Sequence, residues 1–412
     1  MNATIKDIFG KNLRQYGIML ALVAIVLIFA FATGGKLIMP DNLWSLIQQN
    51  GYVLILALGM LMVIIAGHID LSVGSGVAFI GAIIGYMMYT WQLNWILAVV
   101  AGIVIGLLMG AWQGFWVAVV KIPAFVVTLA GMLLFRGLAQ VIAARTMAGF
   151  PAGFNAIAGG NLPHFLGFLP NPFAGWLIPT GSPFAESLDT VTILIGVIGI
   201  VGLIVTGWRT RARQIQHGLP VEAMGLTITR WVIISLAIAF VTFILSMSVS
   251  GTGLGSSPIL LVIVAVLILA YAFVMTRTVF GRHIYAVGGN RNAALLSGVN
   301  TVKTDFMIFV NMGLLTAIAA IVTTSRAGAA VAAAGQSYEL DAIAACFIGG
   351  TAVTGGIGRV SGAMVGALIM GVLNMGLSIL SVDANWQMAI KGLILLLAVT
   401  WDLVSKRRST VA

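Results

Sequence analysis

The sequence predicts an all-α fold, a polytopic integral membrane helix bundle of about 10 to 12 transmembrane helices. Three observations predict it. Of 412 residues, 60% are hydrophobic and 8% charged, against roughly 25% charged in a soluble globular protein. The apolar residues come in runs close to the length, about 20 residues, that a helix needs to cross a bilayer. The basic residues cluster at alternate ends of these runs, as orientation signals do.

The first run, 16–33, follows Lys6, Lys11 and Arg14. Its Ala30-Phe31-Ala32 resembles a signal-peptidase site, but the run is longer than a signal core and no polar domain follows. An uncleaved first span is the expectation. Further spans are expected at 48–67, 73–90, 95–120, 123–143, 190–208, 231–249, 258–276, 305–325, 341–358, 361–381 and 386–404. The turns near 67–73 and 355–362 are so tight that one helix of either pair is open to being re-entrant or broken. With the N-terminus inside, 16 of the 21 Lys and Arg fall in cytoplasmic segments, which sets both termini in the cytoplasm. The whole chain, 1–412, reads as one transmembrane domain. Segment 146–189, rich in Pro, Gly, Asn and Phe, becomes a long external loop with room for a surface helix and an external partner. Spans 190–208 and 231–249 enclose a basic loop, read as a stop-transfer anchor.

The stretch 277–304 interrupts two very apolar runs with Arg277, Arg282, His283, Arg291 and Lys303, and meets no acid until Asp305. A short amphipathic helix is expected inside it, capped by Asn290 or Asn292 and closed by Gly298. Leu295 and Leu296 on that helix need a partner. Packing on the chain's own spans would supply one; a cytoplasmic protein docked on this loop would supply another.

Other classes are excluded or unsupported. The net charge of +10 is spent on orientation, which argues against nucleic acid. Cys346 is a lone cysteine in an apolar run, expected as a small buried hydrophobe. The four histidines show no metal-ligand spacing. No phosphate-binding G-x-x-x-x-G-K-[ST] loop occurs, so no cofactor and no ATP site are expected. Gly102, Gly106, Gly110 and Gly114 form a ridge on one helix face, repeated more weakly by Gly81/Gly85 and Gly362/Gly366. Such ridges let another backbone approach closely, within the chain or between two copies. Asp70, in AGHIDLSVGSG, is a functional candidate because it is ionisable near the membrane. It would equally serve to cap the next helix or to bond loose amides. Glu339 and Asp341 open a second acid-led apolar segment, with the same two readings and a weak look of an internal repeat. Among polar residues in spans, Gln49, Asn50, Asn311, Asn374 and Gln387 are candidates to line a path. Amides both donate and accept, as sugar hydroxyls require.

These motifs carry a resemblance. IDLSVG at 69–74, IPAFVVTLAGMLLFRG at 122–137, TVFGRHIYAVGGNRNAALLSGVN at 278–300 and ELDAIAACFIGGTAVTGGIGRVSGAMVGALIMGVLNMGL at 339–377 are similar to the permease subunits of bacterial ABC sugar importers. The ribose, galactose and xylose permeases look nearest, and the extra spans of 190–249 resemble the longer xylose-type or multiple-monosaccharide members. The resemblance implies an inner-membrane permease that forms the path for a monosaccharide, xylose or a related sugar. It implies a cytoplasmic ABC ATPase, a periplasmic sugar-binding protein and a second permease copy as partners, besides the lipid bilayer. It also maps an ATPase-coupling helix onto 290–299, with Asn290, Arg291, Ala293, Leu295, Leu296 and Gly298. Alternating access driven by ATPase closure is the implied mechanism. The rival is an ion-coupled secondary transporter, which usually needs membrane-buried ionisable residues. Here, apart from Arg136 and Lys391, the ionisable residues sit at predicted span ends. A branched-chain amino acid permease on the same plan is a third reading, less close to these motifs.

Overall fold

The computed structural model describes residues 5–162, 189–219, 221, 224–246 and 257–411. In chain order the helices are α1 Ile5–Ala32, α2 Pro40–Ile65, α3 Val73–Tyr89, α4 Trp95–Gly114, α5 Ala124–Ile142, α6 Ala152–Gly159, α7 Thr190–Gln216, α8 Met224–Ser246, α9 Ile259–Arg277, α10 Val279–Gly289, α11 Arg291–Leu296, α12 Thr301–Ala327, α13 Tyr338–Ile348, α14 Val360–Ile379 and α15 Ala384–Val411. Two-residue strands, β1 Met147–Ala148 and β2 Ala329–Ala330, pair antiparallel. Helix dominates because an apolar slab offers no water to unpaired backbone groups, and a helix satisfies its own.

Among the described residues, eight helices are long and apolar enough to cross a membrane, and 17–32, 73–89 and 384–400 are shorter apolar helices. The expected span at 341–358 does not form as one helix. α13 stops at Ile348, and the GGTAVTGGIG run that follows turns through left-handed backbone at Gly350, Gly355 and Gly356. Eleven helical residues reach only about 16 Å, roughly half of a bilayer core. α2 and α3 are likewise separated by a non-helical break at 66–72.

The chain divides into two compact units. In the larger one (1–37, 46–160 and 259–412), α2 is the hub. Of its most apolar stretch 83% is buried, against 22% for α9, whose exposed Val266, Leu269 and Phe273 suit a lipid-facing belt. α4 and α12 approach backbone to backbone. A Cβ on Gly110 would lie 2.3 Å from the Phe309 carbonyl oxygen, and one on Gly313 would lie 2.1 Å from that of Gly106. The ridge thus packs within the chain. The Gly362/Gly366 ridge does the same against Gly349 and Ala345 of the α13 segment. In the smaller unit (38–45 and 161–258), Asp189 caps α7 through the amides of Val191 and Thr192. α7 packs on α8 with Gly196 against Thr242 and Gly207 against Trp231. Within 146–189 the described part holds one short helix, α6, with Phe154 and Ala158 fully buried, while 163–188 lie outside the described residues.

Overpacking a contact of this kind costs about 1–3 kcal/mol. Gly313→Ala is therefore expected to lower the melting temperature of the detergent-purified protein, because its methyl meets backbone rather than a movable side chain. Gly137→Ala on α5, with nothing within 4 Å of the added carbon, is the matched control. It should leave the melting temperature unchanged or raise it slightly.

Candidate functional site

Among the described residues of the larger unit, three polar sites that interrupt the apolar packing are each built around a buried aspartate. The first lies in the break at 66–72. Gly67 adopts left-handed backbone and turns the chain after α2. Asp70, 1% exposed, accepts from the Ser72 amide at 2.8 Å and the Ser72 hydroxyl at 2.6 Å. That hydroxyl also accepts from Gln113 Nε2 of α4 at 2.5 Å, and Thr128 of α5 donates to the Ile69 carbonyl at 3.3 Å. Ser72 is the N-cap residue of α3 but makes no side-chain cap bond of its own. Asp70 thus holds the turn closed from within, bonding a loose amide just before the helix. Close by, Gly74 packs against Gly335 and Glu339, so the two acid-led segments meet in space. Arg136 of α5 points inward and donates to the carbonyls of Ala332 and Ala334 at 2.8 and 2.7 Å.

The second site is the basic stretch. Thr278 caps α10 through the Gly281 amide. Asn290 caps α11, its Oδ1 accepting from the Ala293 amide at 3.0 Å, and Gly298 with φ +83° ends the turn. On α11, Ala294 is buried while Leu295 and Leu296 are 60% and 89% exposed. The chain's own spans leave most of both leucine side chains uncovered. The stretch is nevertheless anchored. Arg291 pairs with Asp305, the fifth residue of α12, and His68 Nε2 of the 66–72 break lies 3.3 Å from the other oxygen of the same carboxylate. Tyr285 donates to the Gly358 carbonyl at 2.8 Å, and Gly288 leaves no room for a side chain beside the last carbonyl of α2.

The third site sits halfway along α2. Asp341 of α13, fully buried, accepts from the Tyr52 hydroxyl at 2.6 Å. It pairs with Lys391 Nζ of α15 at 3.0 Å to one oxygen and 3.1 Å to the other. Asn374 Nδ2 of α14 lies 3.4 Å from the same carboxylate and donates to Asn50 Oδ1 at 3.0 Å. Tyr52 and Tyr338 stack with ring centroids 3.5 Å apart. For the acids that open α13 capping and function were both open readings; Asp341 makes its bonds to three other helices.

Of the sequence candidates, Asn50 and Asn374 come together. Asn311 stands elsewhere, accepting from Tyr271 of α9 at 2.5 Å and donating to Met62 Sδ at 3.3 Å. Gln387 turns back on the loop just before its own helix, donating to the Val382 carbonyl. Gln49 is half-buried and joins none of the cluster's hydrogen bonds among the described residues. Sequence reasoning missed Tyr52, and it missed the pairing of Asp341 with Lys391. A lysine inside an apolar span needs a carboxylate from elsewhere, and that was the usable signal.

The geometry of Asp70 gives a direct test. Asparagine keeps the accepting oxygen for both Ser72 donors, whereas alanine leaves them unmet, at about 1–3 kcal/mol. Asp70→Asn should melt near the wild type and Asp70→Ala well below it, measured on purified protein. An Asn variant as unstable as the Ala variant would mean that the charge itself is required.

Known proteins share this chain along nearly its whole length. Residues 42–399 match the family described as "Branched-chain amino acid transport system / permease component". The chain is 38% identical over 401 residues to the xylose transport system permease protein of Escherichia coli K12, covering 97% of this chain and 94% of that protein. It is 36% identical to the corresponding xylose permease protein of Haemophilus influenzae, over 96% of this chain and 98% of that one. It is 32% identical to the ribose import permease protein of Bacillus subtilis, over 96% and 94%. No solved structure matches it. The family match runs from the start of α2 into α15 and takes in all three aspartate sites, so the chain belongs to the branched-chain amino acid transport system permease component family.

Proposed function

We propose that this chain is the permease subunit of an ATP-driven, binding-protein-dependent importer of a monosaccharide, a pentose such as xylose being the first candidate. The observation that carries the reading is the bare leucine pair on α11. A rigidly capped helix holds Leu295 and Leu296 out from a basic loop, and a helix-in-groove partner is the chemistry that fits. The partner is a cytoplasmic ABC ATPase. Asn290, Arg291, Ala293 and Gly298 shape and anchor the coupling helix, and the leucines enter the groove. The full-length likeness to xylose and ribose permease proteins supports the substrate class.

The rest of the assembly follows from this reading. Stretch 277–304 faces the cytoplasm, as its positive charge favours, and 146–189 faces a periplasmic sugar-binding protein. A second copy of the chain completes the translocation path. The pair α7–α8 is an accessory element packed through its own glycine contacts. ATP closure of the ATPases moves α11, and Arg291 passes that motion to Asp305 and to the break beside His68. The buried Asp341–Lys391 pair is the feature that favours the ion-coupled alternative. Uptake in proteoliposomes separates the two: the importer requires ATP and the binding protein, and persists when the proton gradient is collapsed.

Two outcomes are expected. Leu295→Asp/Leu296→Asp should insert and run monodisperse in gel filtration but lose the ATPase in a pull-down. Removing a buried leucine anchor costs on the order of 2 kcal/mol, and charge in an apolar groove adds to it. Wild-type retention of the ATPase would move the docking surface away from α11. Cysteines placed in 277–304 and in 146–189, in a Cys346→Ala background, should react with an impermeant reagent on spheroplasts only in the second segment. Labelling of 277–304 from outside would invert the assigned orientation.

A further inference from the structure

The Asp341 site has a depth, a valence and a set of spare polar atoms that structural packing does not account for. Tyr52 lies 12 residues from the start of α2 and 13 from its end, about 18–20 Å from either. That is the middle of α2, while Asn374 stands five residues before the end of α14 and Lys391 seven after the start of α15; the site lies within the bundle rather than at its surface. Ionisable groups at this depth are functional by default, and a buried ion pair is a poor way to gain stability, since apolar replacements often do as well. The pair is neutral in sum, so it does not call for a charged ligand.

Polar capacity is left over. Asn374 Oδ1 has no hydrogen-bond partner, nor has Gln48 Nε2, one helical turn from Tyr52; both atoms are buried. An ammonium has three N–H donors, and the Lys391 side chain is 12% exposed, so it has capacity beyond Asp341. The site thus offers acceptors and donors side by side, next to the stacked rings of Tyr52 and Tyr338. Hydroxyls, each a donor and an acceptor at once, are the groups that can use both, and aromatic faces suit the C–H faces of a sugar ring. The site also joins four elements, α2, α13, α14 and α15. The shortest of them, α13, stops inside the bundle.

We propose that Asn50, Asn374, Asp341 and Lys391, with the Tyr52–Tyr338 stack, form a contact site for a neutral polyhydroxyl solute inside the helix bundle. It is a proposal that rests on the sugar-importer reading and deepens it. The permease touches its cargo through a defined site and thereby contributes to selection after the binding protein has let go.

The test uses the permease–ATPase complex in proteoliposomes with ATP and the binding protein, and D-xylose and D-ribose as probes. Asn50→Leu/Asn374→Leu removes two amides that bond each other and replaces them with apolar groups of similar size, a change that folding tolerates well. The variant should stay monodisperse and keep its ATPase. ATP hydrolysis should be preserved, while uptake falls about tenfold, equivalent to about 1.4 kcal/mol, and the ratio of xylose to ribose uptake changes. If the double variant does not fold, Asn374→Ser, which shortens the side chain but keeps a polar group, is read in the same way. Wild-type uptake with an unchanged ratio in a folded variant would overturn the site while leaving the importer intact. A wild-type complex that moves neither sugar with ATP would overturn the importer reading, and the site with it.

Discussion

A carboxylate placed inside an apolar bundle must find its donors there, because the bilayer supplies none. Asp70, Asp305 and Asp341 are each at most 1% exposed. Each stands where a helix begins or is broken, and each draws its donors from segments distant in sequence or from the turn it closes. Asp341 gathers α2, α14 and α15 around the start of a short helix. Asp305 joins α11 to α12 and to the 66–72 break. Asp70 holds that break in shape, with α4 and α5 bonded around it. The positions of the helix interruptions are therefore fixed by polar contacts, while the helices themselves are held by apolar and backbone packing.

Two of these sites share a neighbourhood. The 66–72 break carries Asp70 toward α4 and α5, and it carries His68 toward Asp305. A displacement of α11 cannot leave that carboxylate without altering its relation to His68, and the break is short enough that Asp70 lies two residues away. The mid-span site is connected to the same end through α2, whose last carbonyl accepts from the Gly356 amide at 2.8 Å. The break, the basic stretch and the glycine turn after α13 thus converge on the end of α2.

Much of the helical plan was legible in the sequence because apolar run length is a local property. The runs gave the helices and their order, the Asn290 cap and Gly298 stop gave α11, and the spacing of Gly102 to Gly114 gave a close helix contact. What the spacing could not give was the partner: α12 lies some two hundred residues on, and only the fold brings Gly313 opposite Gly106. The same holds for the polar sites. Asn50 and Asn374 were singled out for their chemistry alone, one by one, and their meeting was invisible. Asp341 looked like a helix-start acid because acids are favourable there, and Lys391 looked like an isolated charge. Their pairing is a long-range fact. The end of α13 was misjudged because its glycines look apolar by composition, yet three of them turn the backbone.

The glycine contact between α4 and α12 has a mechanical consequence. Side chains between helices act as a compliant layer that can hop between rotamers, and here that layer is missing along the ridge. The two helices meet at backbone distance, so they form one stiff member rather than two sliding rods. α12 has 27 residues and is about 40 Å long. Near its start stands the Asp305 carboxylate, and just beyond its far end Ala329 and Ala330 pair with Met147 and Ala148. The backbone contact covers α12 from Phe306 to Ala317, so the half of the helix that begins beside Asp305 is locked to α4, while the half that leads to the strand pair is packed through side chains.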